Sequence, residues 1–103
     1  QRTVSELVID AQSGDRYALE ELIQRHQNYV NMLASQYVSN RDDVAEVCQE
    51  VFILVIRRLD QLQVPAAFSS WLRRITHRTA INYCRRRKLT YAVEPESLDA
   101  NQG

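Results

Sequence analysis

The densest cluster of basic side chains lies in residues 69–88, SSWLRRITHRTAINYCRRRK. On a helix, with about 100° between successive residues, one face of this stretch carries an aromatic ring, three guanidiniums and an amide. These residues are Trp71, Arg74, Arg78, Asn82 and Arg85. Arginine binds phosphate or a guanine edge, asparagine binds an adenine edge, and an indole ring stacks on an unpaired base. The face therefore indicates nucleic-acid binding, and a solvated basic helix with a core tryptophan is the alternative.

Catalytic and metal-binding patterns are missing from the sequence. The histidines His26 and His77 stand alone, and the cysteines Cys48 and Cys84 lack the spacing of metal ligands. Neighbouring acids diverge by about 100° on a helix and form no acid–base pair. With only 2 glycines, the chain has no glycine-rich phosphate loop. We expect a protein that is not an enzyme and holds no cofactor or metal, with both cysteines as buried free thiols.

The overall net charge of zero conceals an asymmetry along the chain. Residues 1–56 carry four arginines against nine acids, whereas residues 57–103 carry nine basic residues against four acids. Such asymmetry between halves suggests that a basic surface meets nucleic acid and an acidic surface meets a protein. At 103 residues, with 2 glycines and 2 prolines, the composition predicts one helical domain.

Hydrophobic periodicity predicts an all-α bundle of about four helices. The expected ranges are Val4–Ala11, Tyr17–Val38, Arg41–Leu62 and Ser69–Lys88. The expected N-caps are Thr3 or Ser5, then Asp15, Asn40 and Ser69. Gly14 is expected just after the end of the first helix. Residues 91–103 are acidic and aperiodic, so we expect a linker or disordered tail after a domain over residues 1–90.

The third helix carries an apolar belt that is wider than one face. Val47, Val51 and Val55 are expected in the core, while Ile53 and Ile56 widen the belt and predict burial on more than one side. A docking surface for another protein is the alternative for this side of the helix. On the second helix, His26 lies on the apolar stripe and is expected as a satisfied core histidine.

The connector over residues 63–68 precedes the basic helix. Phe68 and Trp71, with the small residues Ser69 and Ser70 between them, have the composition of a pocket for a flipped base. The same spacing suits a hydrophobic anchor for the connector, and the sequence leaves both interpretations open. No apolar run approaches the ~20 residues that span a bilayer, and no signal-peptide pattern is present. We expect a cytoplasmic protein without membrane insertion; because Gln1 is not a start methionine, we expect a trimmed chain.

Three motifs, in order over residues 3–88, resemble those of bacterial sigma factors of the extracytoplasmic-function (ECF) type. DVAEVCQEVF at residues 43–52 resembles the family's D-x-x-D/E-V-x-Q-E-x-F pattern. FSSWLRRI at residues 68–75 resembles F-x-x-W-L-x-R-I, with Asn82 and Tyr83 further along the same helix. SGD at residues 13–15, followed by Ala18 and Leu19, resembles the opening motif.

The resemblance implies the first conserved helical domain of a sigma factor, region 2. Such a domain binds the β′ clamp coiled coil of the RNA polymerase core and reads and melts the promoter −10 element on the non-template strand. By position, the core-binding residues would be Asp43, Val47, Gln49, Glu50 and Ile53. The residues capturing a flipped base would be Ala67, Phe68, Ser69, Ser70 and Trp71. The DNA-facing helix would contribute Arg74, Arg78, Asn82, Arg85 and Arg86.

Two other functions remain as alternatives. The chain could be an interaction module bound by an anti-sigma factor through the third helix, a role compatible with the first. It could also bind single-stranded nucleic acid without sequence preference through residues 85–88. The connector Gln63–Ala66 departs from the family pattern, so the promoter sequence is not predicted. Because no counterpart of the second sigma domain is present, we expect the chain to be a fragment.

Overall fold

The computed structural model describes the backbone of residues 1–92 and the side chains of residues 1–88. Four α-helices form the described part: α1 (Val4–Gln12), α2 (Arg16–Ala34), α3 (Arg41–Arg58) and α4 (Phe68–Ala92). Two 3-10 turns, Leu59–Gln61 and Pro65–Ala67, join α3 to α4. Residues 1–92 contain no strand, so the predicted all-α bundle is confirmed. The expected tail lies, from residue 93 onward, outside the described residues.

Side-chain caps begin the first three helices where the sequence predicts them. The Thr3 hydroxyl accepts from the Glu6 amide at 3.1 Å, and the Glu6 carboxylate accepts from the Thr3 amide at 2.7 Å, which completes a capping box. Asp15 caps α2 and Asn40 caps α3 through their side-chain oxygens. Gly14 has φ 103°, the left-handed backbone that follows a helix end and disfavours other residues.

The predicted ends of α2 and α3 are wrong for local reasons. Helix α2 ends at Ala34 and not at Val38, because the turn that follows bonds back three residues and the Ser35 hydroxyl donates to the Met32 carbonyl at 2.8 Å. Helix α3 tightens into a 3-10 turn after Arg58.

The start of α4 differs more. Ser69 is not its N-cap, because the 3-10 turn that opens with Pro65 runs directly into the helix at Phe68. Proline is accommodated at such a first position because no helical partner is needed for its missing N–H. The basic helix thus begins one residue earlier than predicted, and it also continues beyond the predicted end at Lys88, to Ala92.

The core lies where α2, α3 and α4 pack against one another, with α1 covering α2 and the connector. Its largest fully buried side chains include Leu7, Leu22, Val51, Phe68 and Leu72. His26 is 8% exposed, and its Nδ1 lies 2.8 Å from the Leu22 carbonyl oxygen. The prediction of a satisfied core histidine is confirmed.

The apolar belt of α3 is buried on one side only, which corrects the expectation of burial on several sides. Ile53 is 40% exposed and Ile56 is 53% exposed, whereas Val55 between them is fully buried. Both cysteines are free but partly exposed and not buried as predicted. Within residues 1–92, no helix has the length and apolar character that crossing a bilayer requires.

Candidate nucleic-acid and protein interfaces

A groove between α3 and α4, the α3–α4 groove, holds most of the predicted DNA-facing row. It encloses about 250 Å³. Its lining combines cations, amides and an indole over an aliphatic floor: Leu54, Arg58, Gln61, Trp71, Arg74, Ile75, Arg78, Thr79 and Asn82. Among residues 1–88, those lining it contribute three arginines and no carboxylate. The groove is therefore cationic with hydrogen-bonding groups beside an aromatic ring, as an unpaired strand requires.

Trp71 stands at the connector end of this groove and is half-buried. Its ring centroid lies 5.8 Å from that of Phe68, at an interplanar angle of 47°. Phe68 is only 1% exposed and meets His26 edge-on at 4.9 Å. In this structure the Phe68 side chain is a hydrophobic anchor packed against Trp71, and the DNA contact expected of Phe68 stays a prediction.

The arginine and asparagine side chains of the predicted DNA-facing row on α4 face solvent. Arg74, Arg78, Asn82 and Arg85 are all exposed, so their predicted exposure is confirmed. Ser69 and Ser70 are also exposed, and the Ser70 hydroxyl donates to a backbone carbonyl oxygen in the preceding turn at 3.1 Å. That carbonyl belongs to Ala67, which is half-buried. The start of α4 thus presents small hydroxyls beside the indole.

Helix α1 holds the connector in place. The Gln12 side-chain amide donates to the carbonyl oxygens of Leu59 and Leu62, at 2.9 Å and 2.8 Å. Val64, just beyond, is 59% exposed next to the start of α4. The 3-10 turn that precedes the connector is therefore fixed by α1, and the connector presents an apolar side chain to solvent.

A second groove, the α2–α4 groove, lies on the other flank of α4. Its lining is Leu33, Gln36, Tyr37, Arg73, Arg74, His77 and Arg78. The Tyr37 hydroxyl is hydrogen-bonded to Nδ1 of His77, and the two rings meet edge-on at 5.4 Å. The sequence did not predict this groove, because Tyr37 and His77 lie 40 positions apart and no local motif connects them.

Arg58 and Gln61 on the α3–α4 groove were missed as well. A signal existed for Arg58: it is a cation at the end of an otherwise apolar row on α3. A long basic side chain at such a position covers apolar surface with its stem while its charge remains in water.

The acidic side of α3 is connected to α4 by ion pairs. Asp43 Oδ1 accepts from the Tyr83 hydroxyl at 2.6 Å and from Arg87 Nη1 at 2.9 Å. The hydrogen bond to Asp43 raises the pKa of Tyr83, because the charged carboxylate favours the protonated phenol. Glu50 Oε2 accepts from Arg86 Nη2 at 2.7 Å.

The remaining predicted core-binding residues divide by exposure. Gln49 is exposed and Ile53 is 40% exposed, so both side chains are accessible to a partner. Val47 is fully buried and its side chain fills the core behind that face, so its assignment to polymerase binding stays a prediction. Residues 1–88 contain no group of three or more histidine, cysteine or acidic side chains placed to hold a metal ion.

Comparison with known proteins finds a matching family model and several relatives. A family model described as "Sigma-70 region 2" matches residues 22–90. The chain is 42% identical over 83 residues to the "ECF RNA polymerase sigma-E factor" of Haemophilus influenzae, covering 81% of this chain and 43% of that protein. Identity to the protein of the same description from Escherichia coli K12 is 43% over the same length.

A solved structure agrees in fold as well as sequence. It is described as the "NMR structure of the complex formed by an engineered region 2 of sigmaE in complex with GTAAAA". The TM-score is 0.79 at 41% identity, covering 85% of this chain and 92% of that one. The chain belongs to the sigma-70 region 2 family, and its relatives are ECF-type sigma factors. It spans 43% of the length of the curated relatives described above.

Proposed function

We propose that this domain reads and opens the promoter −10 element for a sigma factor while it is bound to the RNA polymerase core. The observation that carries the proposal is the α3–α4 groove, where Trp71 stands at the head of a row of Arg74, Arg78 and Asn82. A duplex hides the faces of its bases, so an accessible indole beside cations suits a strand whose bases are unstacked. The similarity to a sigmaE region 2 in complex with GTAAAA supports the same assignment.

Within this function, the connector end of the groove would receive a flipped base. Trp71 would stack on it, with Ser69 and Ser70 close enough in sequence to contact its edge or its phosphate. Asn82 would read a base edge further along, and Arg85 would follow the phosphates. Phe68 and Ala67 contribute by holding this end of α4 in place.

The β′ clamp coiled coil would dock on the outer side of α3. Gln49 and Ile53 lie four residues apart and Ile56 follows three later, so they share one helix face. Ile53 and Ile56 give that face an exposed apolar strip, and Gln49 adds hydrogen-bonding capacity. Glu50 and Asp43 lie at its edge, where their charge would select a basic partner.

An anti-sigma factor is a second partner that the same apolar strip favours. Large exposed hydrophobic side chains on a small domain indicate a protein contact more often than a nucleic-acid contact. A regulator that covered Ile53 and Ile56 would block the polymerase core from docking there. Competition between the two for the domain is the expected behaviour, and both would act in the cytoplasm.

Selection from a randomised single-stranded pool tests the DNA-binding proposal. Core polymerase with this domain is bound to the pool, and the retained strands are sequenced. We expect enrichment of a short motif related to GTAAAA, with no enrichment when the domain is omitted. Retention of all strands equally would support binding without sequence preference and would reject promoter reading.

Substitution of Trp71 tests the role of the indole. Trp71→Ala is expected to weaken binding of the selected strand by about 1–3 kcal/mol, the contribution of stacking one base on an aromatic ring. Trp71→Phe keeps an aromatic face and should retain most of the affinity. Tyr17→Ala, which removes an 80% exposed aromatic ring from α2 outside both grooves, is the matched control. Unchanged affinity in Trp71→Ala would remove stacking from the mechanism.

A further inference from the structure

The α2–α4 groove has a chemistry that differs from that of the groove described above. Its charged side chains are Arg73, Arg74 and Arg78, and among residues 1–88 no carboxylate lines it. It encloses about 480 Å³. Trp71 and Asn82, the base-reading groups, line the α3–α4 groove instead. The α2–α4 groove therefore suits an anionic backbone better than a base.

The Tyr37–His77 pair adds a neutral donor to this groove whichever way its hydrogen bond runs. If the Tyr37 hydroxyl donates to Nδ1 of His77, the ring carries its proton on Nε2 and donates outward. If Nδ1 donates instead, the hydroxyl proton is available to an outside acceptor. Both residues are exposed. A phosphate oxygen accepts from either arrangement, so the site does not depend on the tautomer.

Arg74 and Arg78 line both grooves and so form the ridge between them. An α-helix with its side chains is about 10–12 Å across, and the major groove of B-DNA is about 12 Å wide. A helix lying in that groove has one DNA backbone on each flank. When the unpaired strand occupies the α3–α4 flank, the opposite flank faces the complementary strand.

We propose that the α2–α4 groove binds the phosphate backbone of the complementary strand at the double-stranded edge of the opened promoter. Arg73 supplies the charge, and the Tyr37–His77 pair supplies the neutral hydrogen bond. The proposal rests on the function proposed above and extends it: the domain holds both strands at the fork, one on each side of the ridge formed by Arg74 and Arg78.

Two DNA probes distinguish binding of the single strand from binding of the complementary strand. The first is the single strand GTAAAA with an upstream extension of roughly ten nucleotides, about one helical turn. The second adds a complementary strand to that extension only, which gives a fork. Affinity for each is measured by fluorescence anisotropy with this chain, over a series of salt concentrations. Melting temperatures of all variants confirm folding.

Arg73→Ala is expected to weaken fork binding on the order of tenfold, the effect of one charge-assisted hydrogen bond. Its affinity for the single strand should stay within about twofold of the parent, as for an ordinary surface substitution. The slope of log K against log salt should fall by about 1 for the fork alone. Tyr37→Phe and His77→Ala should show smaller losses with the same strand selectivity. Arg16→Ala is the matched control.

The matching change on the DNA replaces phosphates of the complementary strand with neutral methylphosphonate linkages. With such a fork, the parent and Arg73→Ala should bind equally, because the partner of the guanidinium has lost its charge. An equal loss on both probes, or no loss on the fork, would overturn the proposal. Failure of the underlying function is a separate result: GTAAAA would then bind no better than a scrambled strand and would not respond to Trp71→Ala.

Discussion

Glu50 on α3 and Arg86 on α4 form an ion pair in which Oε2 lies 2.7 Å from Nη2. The two residues were predicted to meet different partners, the polymerase core and DNA. A second acid of α3, Asp43, is bound in the same way by Arg87 at 2.9 Å. The acidic and basic halves of the chain are therefore joined to each other along one side of the α3–α4 packing. Part of the charge asymmetry in the sequence is balanced inside the domain.

Reversal of the charge at Glu50 should affect binding more than folding. The two side chains are 35% and 55% exposed, and exposed ion pairs stabilise a protein by about 0–1 kcal/mol. Glu50→Lys is expected to lower the unfolding free energy by no more than about 1 kcal/mol and to weaken core-polymerase binding by more than about tenfold. Urea unfolding and a titration with core polymerase measure the two effects. Glu20→Lys on α2 is the control, and a normal polymerase affinity in Glu50→Lys would remove this residue from the interface.

Val47 and Gln49 are two residues apart on α3, but substitution of Val47 should lower stability and substitution of Gln49 should weaken polymerase binding. Val47 is fully buried, so Val47→Ala removes packed methyl groups and should lower the unfolding free energy by about 2 kcal/mol. Gln49 is exposed, so Gln49→Ala should leave stability within about 0.5 kcal/mol of the parent and weaken binding to core polymerase. Urea unfolding and a titration with core polymerase measure these two effects. A folded Val47→Ala variant with a specific polymerase defect would support Val47 as a contact residue.

Local signals in the sequence were sufficient for the existence of the four helices and for the caps of the first three. Thr3, Asp15 and Asn40 each cap the helix that they precede, because a short side-chain oxygen ahead of an apolar-periodic stretch satisfies orphan amides whatever the tertiary structure. The exposed row on α4 was predictable for a similar reason: Arg74 and Arg78 could not be buried without partners. Apolar periodicity located Val51 in the core.

What the sequence could not settle depends on contacts between helices. Phe68 and Trp71 share a motif, but only the packing of Phe68 against His26 decides that one is an anchor and the other faces the groove. Likewise the periodicity of α3 placed Ile56 in the belt, whereas exposure depends on where α2 and α4 stop covering it. The α2–α4 groove joins residues 40 positions apart through Tyr37 and His77, which no local pattern reports.

Acid should destabilise the domain partly through Asp15. Hydrogen bonds from the Ala18 amide and the Arg2 guanidinium lower the pKa of Asp15 below its ordinary value of 3.8. A carboxylate with a lowered folded pKa contributes stability above the unfolded value, and this is lost as the pH falls through the folded value. The unfolding free energy should therefore decrease as the pH falls below about 4. The decrease should be less steep in Asp15→Asn, which keeps a capping oxygen without a charge.

The comparison between the parent and Asp15→Asn isolates this group from the other acids. Glu6, whose pKa is also lowered by its hydrogen bonds to Thr3, titrates in both proteins and cancels in the difference. Urea midpoints measured from pH 6 down to about pH 3 provide the readout. Identical pH profiles for the two proteins would show that the cap does not depend on the charge of Asp15. Glu20→Gln, in the interior of α2, controls for the loss of an exposed acid.

Gln12 should connect α1 to DNA binding, although it lies outside both grooves. Its amide donates to the carbonyl oxygens of Leu59 and Leu62, and Gln61 between them lines the α3–α4 groove. Gln12→Ala leaves both carbonyls without that donor and should lower the unfolding free energy by about 1–2 kcal/mol. Because the turn is released, the Leu62 amide, bonded to the Leu59 carbonyl at 3.0 Å, should exchange its hydrogen faster. The affinity for GTAAAA should fall as well. Gln27→Ala, on the exposed side of α2, is the control and should change neither the unfolding free energy, nor the exchange rate, nor the affinity. Faster exchange at Leu62 with unaltered affinity would show that the turn does not position the groove.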